Sequence, residues 1–210
     1  METLKHITNK HDLVLGTNSK IEIPNVTRDI LTKWAHELGF KIGVEVGVAG
    51  GIFSRVICET NPQMKVYGVD PWESYSDYEV GGTPEEFAKY EHRARKRLAS
   101  YTNYEILKEY SVTALQKFED NSVDFVYIDA NHREPFISED VNGWYKKVKI
   151  GGILSGHDYV RLKKGYCDVR SAVHTFVTKN NINPWFVLGA EEKTPGLARD
   201  DIRSWAIIKQ

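Results

Sequence analysis

The chain has 210 residues, 41% of them hydrophobic and 27% charged, which suits one domain (1–210) with a sizeable core. Its net charge of −1 argues against a general binder of nucleic acid or of an anionic membrane. No apolar run reaches the roughly 18 residues of a membrane-spanning helix, and the first residues lack the plan of a signal peptide.

Cys58 and Cys167 read as reduced thiols with no metal-site spacing, so a cytoplasmic protein is expected. Residues 1–25 read as a polar N-terminal arm over the core. A helix follows, with Ile30, Leu31, Trp34 and Leu38 on one stripe and Gly39 as its stop. Ile42–Val46 is a strand, and the glycine-rich turn after it opens a helix at Gly51–Glu59 with Ile52, Phe53, Val56 and Ile57 as the apolar face. Lys65–Asp70 is the next strand and Pro71–Gly82 a long loop. Thr83, Pro84 and Glu86 then begin a helix as N-cap, first-turn proline and capping-box partner. The basic run His92–Arg97 on that helix reads as a solvated face.

Tyr104–Lys108 is a strand, and Ser111 caps a helix carrying Val112, Leu115 and Phe118. Val123–Ile128 is nearly all apolar, as in a strand buried on both faces. Val141, Trp144, Tyr145 and Val148 mark a helix, Gly151–Leu154 a strand, and Val169, Ala172, Val173, Phe176 and Val177 a further helix. Trp185–Leu188 and Trp205–Ile208 look like two strands with no helix between them. The alternation predicts an α/β, Rossmann-like doubly wound sheet, mostly parallel, with a C-terminal antiparallel hairpin strand.

The turn Glu45-Val46-Gly47-Val48-Ala49-Gly50-Gly51 joins a strand to a helix, where glycines admit a ligand and the helix N-terminus offers free N–H donors. Asp70, at the end of the next strand, is placed to accept hydrogen bonds from a ribose. A dinucleotide fingerprint would need glycine where Ala49 stands, and Glu45 suits a cationic, amino-acid-bearing cofactor better than a pyrophosphate. Glu-x-Gly-x-x-x-Gly with an acidic second strand end resembles the class I S-adenosylmethionine-dependent methyltransferases. The match covers most of the chain, from about Ile30 onward. It implies S-adenosylmethionine as cofactor, with adenine contacts from Tyr110 and Ser111, and Trp72 either stacking on the same base or packing on the core as a lid residue.

Ligands of such sheets lie beyond the carboxyl ends of the strands. There the chain reads Asp129-Ala130-Asn131-His132 and Gly156-His157-Asp158-Tyr159, which neighbouring strands would bring to one rim. Carboxylates beside imidazoles suit a divalent ion such as Mg²⁺ or Mn²⁺. Such an ion lowers the pKa of a bound hydroxyl, and a nearby histidine can take the proton. Asp-x-x-His followed by Gly-His-Asp-Tyr resembles the metal-dependent O-methyltransferases that act on sugars of macrolide antibiotics. The resemblance implies Asp129, His157 and Asp158 as metal ligands, Asp129 also beside the cofactor, and His132 as the base, with a small-molecule acceptor such as a sugar hydroxyl. A carboxylate is expected where His157 stands.

Plainer alternatives are a turn carboxylate at Asp70, a helix cap at Asp129 and ordinary surface imidazoles at His132 and His157. Tyr75, Tyr78, Tyr159 and Arg161 are candidates for a substrate wall, and 189–201 for a segment closing over the site. Trp34 and the N-terminal arm are candidates for a homo-oligomer contact. The competing functions are a metal-independent methyltransferase, a nicotinamide-dependent oxidoreductase and a binding module without chemistry.

Overall fold

Residue parity along the central strands places the core. In a computed structural model, which describes residues 2–16, 20–73, 82–161 and 166–210, eight strands form one sheet. They are β1 (Lys20–Ile23), β2 (Ile42–Val46), β3 (Lys65–Val69), β4 (Tyr104–Leu107), β5 (Val123–Ile128), β6 (Val148–Gly156), β7 (Trp185–Leu188) and β8 (Ser204–Ile208), in the order β1-β7-β8-β6-β5-β2-β3-β4. Only β8 runs against its neighbours, β6 and β7, so the expected antiparallel hairpin strand is present.

On one face Val44, Val46, Val126 and Ile128 pack against α6 (Phe136–Lys147) and α7 (Val169–Lys179). On the other, Phe125 and Tyr127 pack against α2 (Asp29–Glu37) and α3 (Ile52–Thr60). Each fully buried aliphatic or aromatic side chain contributes roughly 1.5–3 kcal/mol, so this two-sided burial is what holds the parallel strands together. The helix α4 (Pro84–Leu98) begins with the predicted capping box, Thr83 Oγ1 accepting from Glu86 N and Glu86 Oε2 accepting from Thr83 N. It closes a small third cluster of Val48, Trp72, Ala94 and Leu98.

Several local expectations change. The N-terminal segment is not a plain arm: it forms α1 (Glu2–Lys10), which buries Ile7, and the edge strand β1, parallel to β7. Trp34 is fully buried, its Nε1 donating to His11 Nε2 at 3.2 Å, so it offers no oligomer surface. Ile52 is 60% exposed rather than on the apolar face of α3, which turns Phe53, Ser54, Ile57 and Cys58 inward. Ser111 does not cap α5 (Ser111–Ala114), a single turn continued by a 3₁₀ turn at Leu115–Lys117, and Val112 is exposed. Val148 begins β6 instead of ending a helix. No helix among the described residues is long and apolar enough to cross a membrane.

Candidate functional site

The chain turns from β2 to β3 on one side and to β5 on the other, so a crevice opens beyond the ends of β2 and β5. The glycine-rich turn fills its near wall. Gly47 has φ +94°, and a Cβ there would overlap the Asp129 carbonyl, so glycine is required by the neighbouring strand end as well as by any ligand. Gly51 is the left-handed N-cap of α3, where a Cβ would meet Leu98 Cδ1 at 2.9 Å. Gly50 has room for a Cβ.

Asp70 holds this turn together. Its Oδ2 accepts from Val48 N (2.9 Å) and Ala49 N (2.8 Å), and its Oδ1 from Trp72 N (2.8 Å). Burial raises its pKa, against the pull of those three N–H groups. The plainer reading of Asp70 as a turn carboxylate therefore describes its present contacts. Trp72 is buried, its Nε1 donating to the Ala49 carbonyl at 2.9 Å. It packs in the small third cluster instead of standing free to stack on a base. The Ser111 hydroxyl is likewise committed, accepting from Trp144 Nε1 at 2.8 Å beside the buried Asp140. Tyr110 remains at the edge, its hydroxyl donating to Glu73 Oε2 at 3.2 Å.

Beneath the turn, Glu45 is 2% exposed and lines a cavity of about 320 Å³ together with Gly47, Gly50 and Asp129. Its Oε2 accepts from Ser54 Oγ, which in turn accepts from the Tyr104 hydroxyl at 3.2 Å. Gly68 lets Tyr104 reach so far, because any Cβ at position 68 would overlap that hydroxyl. Burial pushes Glu45 up to about 8, with the Ser54 hydrogen bond opposing.

The sequence left Arg28 unassigned, yet it forms part of the same cavity. Its backbone N donates to Asp200 Oδ2 (2.6 Å), its guanidinium lies 4.7 Å from the Phe53 ring centre, and its Nη1 stands 3.6 Å from Asp129 Oδ2. The 189–201 segment reaches the site through this residue, and Asn25 Oδ1 also accepts from Ala198 N at 2.8 Å. The basic run is a solvated face as expected, with His92, Arg93, Arg95 and Lys96 exposed and Arg97 half-buried, and Arg93 and Arg97 also border the cavity.

Across the crevice, β5 and β6 bring the four expected rim residues together. His132 Nε2 lies 3.0 Å from Asp158 Oδ2 and 3.6 Å from Asp129 Oδ1, while His157 Nδ1 lies 3.3 Å from Asp158 Oδ2 and 3.9 Å from Asp129 Oδ1. Asp129, His132 and Asp158 offer ligand atoms all within 4.8 Å of one another. His132 thus takes the place in the converging set that was expected for His157. Asp158 adopts φ +55°, a left-handed conformation that aspartate tolerates better than most residues. Burial opposes charge at His132, but the neighbouring Asp129 and Asp158 carboxylates prevail and raise it to about 9. Burial likewise opposes charge at Asp158, yet the His132 and His157 imidazoles beside it hold it far below the usual carboxylate range.

Of the proposed substrate wall, Tyr159 is buried, its hydroxyl paired with His174 Nε2 at 2.6 Å, while Arg161 is exposed. Tyr75 and Tyr78 lie outside the described residues.

A family model described as a methyltransferase domain matches residues 44–159, from β2 through Tyr159 and more than half of the chain. Among solved structures, the O-methyltransferase TomG of Streptomyces achromogenes, involved in tomaymycin synthesis and bound to S-adenosylmethionine, is 16% identical with a TM-score of 0.62, covering 100% of this chain and 91% of that one. An O-methyltransferase of Bacillus cereus, in complex with S-adenosylhomocysteine, is 15% identical with a TM-score of 0.61 and the same coverage. The precorrin-6y C5,15-methyltransferase of Geobacter metallireducens is 13% identical with a TM-score of 0.58, covering 87% of each chain. Identities this low speak for the fold alone, and the third name shows that the fold does not choose the acceptor atom. No curated protein sequence matches this chain. The matched span contains the turn, Asp70 and all four rim residues within the expected mostly parallel sheet, and on that match the chain belongs to the methyltransferase-domain family, among the class I S-adenosylmethionine-dependent methyltransferases.

Proposed function

We propose that the protein moves the methyl group of S-adenosylmethionine to a hydroxyl oxygen of a small molecule, with a divalent cation held at the β5–β6 rim. The observation that carries this reading is the convergence of Asp129, His132 and Asp158 beside the cavity of the glycine-rich turn. S-adenosyl ligands in the TomG and Bacillus cereus structures support the cofactor, and the Asp-x-x-His and Gly-His-Asp-Tyr motifs support a sugar-like acceptor.

The rim fits a hard cation by its own chemistry. It supplies two carboxylate donors and one imidazole, and His132 Nε2 is buried without a well-directed hydrogen bond. Donors around Mg²⁺ or Mn²⁺ stand about 3–4 Å from one another, comparable with the spacing here. When bound, the cation supplies Lewis acidity that favours the alkoxide form of an acceptor hydroxyl.

The chain's residues do the rest. Asp129, Asp158 and His132 would hold the cation, and His157, hydrogen-bonded to Asp158 as the second imidazole at the rim, would accept the hydroxyl proton. Glu45, at the cavity wall, would face the cofactor's ammonium, and Asp70 keeps the turn fixed. Holding oxygen, methyl carbon and sulfur in line supplies roughly 7–11 kcal/mol of the barrier reduction.

The test is Mn²⁺ titration by calorimetry, alongside turnover on a panel of hydroxylated acceptors. Asp129→Asn and His132→Gln are expected to weaken Mn²⁺ binding at least tenfold. His157→Gln is expected to leave Mn²⁺ binding within about threefold and lower turnover by about 10²–10⁴. S-adenosylhomocysteine binding with no Mn²⁺ binding would make the enzyme metal-independent and remove these roles.

A further inference from the structure

The basic run on α4 divides its arginines between two environments. Arg95 is paired with Glu91 on the solvent side (2.8 Å). Arg93 and Arg97, one turn apart, line the cavity of the glycine-rich turn, and Tyr90 lines it one turn earlier. Among the described residues, no carboxylate comes within ion-pair distance of Arg93 or Arg97. Arg97 donates to the Gly50 carbonyl, and Arg93 lies 6.0 Å from the Tyr90 ring centre. Each guanidinium carries five N–H donors in a planar fork, so beyond the Gly50 carbonyl the donors of the exposed Arg93 and the half-buried Arg97 are left to solvent or to an occupant of the cavity.

The opposite end of the same wall is also short of negative charge. α3 begins at this cavity, with Ile52 among the lining residues, and has no acidic residue in its first turn. Its N-terminal N–H groups and partial positive charge therefore add to the two guanidiniums. Of the cavity's two acids, Asp129 lies beside Arg28, and Glu45 is buried beneath the turn with Ser54. Neither reaches the α4 side. Two like charges facing one hollow repel each other, and the arrangement is relieved by an anion whose oxygens match the arginine forks.

We propose that Arg93 and Arg97 form a seat for an anionic group, a carboxylate or a phosphate, on the molecule that fills this cavity. The proposal rests on the methyltransferase reading for the identity of that molecule, but not for its charge. Carboxylate chemistry has two sources here, the amino-acid end of the cofactor and an acid on the acceptor. The exposed Ile52 and Tyr90 at the mouth add an apolar surface beside the charge.

The experiment compares the wild type with Arg93→Gln/Arg97→Gln by calorimetry. Three probes are used: S-adenosylhomocysteine, 5′-methylthioadenosine (the same nucleoside thioether without the amino-acid end) and inorganic pyrophosphate. Equal thermal midpoints establish that the variant folds, and Arg93→Lys/Arg97→Lys tests whether charge alone restores binding. Loss of about tenfold or more in S-adenosylhomocysteine affinity, with methylthioadenosine unchanged, assigns the seat to the cofactor carboxylate. Pyrophosphate bound by the wild type and not by the variant, with both thioethers unaffected, assigns it to an anion on the acceptor. Unchanged binding of all three probes overturns the seat, as does an equal loss for both thioethers. If the wild type binds neither thioether, the methyltransferase reading fails, and the pyrophosphate comparison alone decides the seat.

Discussion

The two walls of the crevice treat their carboxylates in opposite ways. At the turn, Asp70 is fixed by three backbone N–H groups and Glu45 by burial and a single hydroxyl, and neither makes an ion pair among the described residues. At the rim, Asp129 and Asp158 are surrounded by His132, His157 and Arg28. Burial raises Glu45 to about 8, but at Asp158 the same effect is overruled by two imidazoles. The turn is therefore complete without a ligand and presents finished geometry to one. The rim is a set of charges that neutralise one another, and a cation entering between the carboxylates can take over that task from the imidazoles.

Removing the carboxylate from each wall gives the largest expected contrast. Asp70→Ala strands three N–H groups at the turn, each worth about 1.5–3 kcal/mol when its partner is charged. Because the site is partly open to water, a net loss of about 3 kcal/mol is expected in urea unfolding. Asp129 receives only looser ion pairs at 3.6–3.9 Å, so Asp129→Ala is expected to cost less than about 1 kcal/mol. Equal losses at the two positions would erase the distinction between a finished turn and an exchangeable rim.

The neutral state of Glu45 gives a second, smaller contrast. The unfolded chain releases this proton near 4.5, and the folded chain keeps it to about 8. Between those values the folded state holds the extra proton, so stability falls as pH rises, by at most about 1.4 kcal/mol per pH unit. Glu45→Gln keeps the Ser54 contact and cannot ionise, so its stability curve is expected to be flatter from pH 5 to 8. An unchanged slope would mean that the carboxylate is already charged there, as at the rim.

The sequence made most of the fold legible because strands buried on both faces leave continuous apolar runs. Ile42–Val46 and Val123–Ile128 begin and end where the patterning places them. α1 was hidden because it buries only Thr3 and Ile7, too few positions to show a period, and β1 because four residues at a sheet edge are mostly half-buried. At the site, residues carried by strand ends were readable, since topology alone brings Asp129, His132, His157 and Asp158 to one rim. Arg28 was not, because it lies just before its helix and its backbone is bonded to Asp200, far along the chain. Trp72 takes the second of its two expected places, packed on the core, and the Ser111 hydroxyl turns to Trp144, since which way a loop side chain points depends on partners such as Trp144 and Ala49.

Trp72 offers the finest test of whether the turn is built in advance of its ligand. Its ring packs against Val48, Ala94 and Leu98, and its Nε1 closes a bond to the Ala49 carbonyl. Trp72→Phe keeps much of that packing and removes only the donor. The Ala49 carbonyl lies at an exposed position where water can replace the lost partner. The cost to stability is therefore expected to be about 1 kcal/mol. S-adenosylhomocysteine affinity is expected to stay within about threefold, since base stacking worth about 1–3 kcal/mol would cost more if it were lost. A tenfold loss of affinity with almost no loss of stability would reverse the assignment, placing the indole against the adenine and making the turn wait for its ligand.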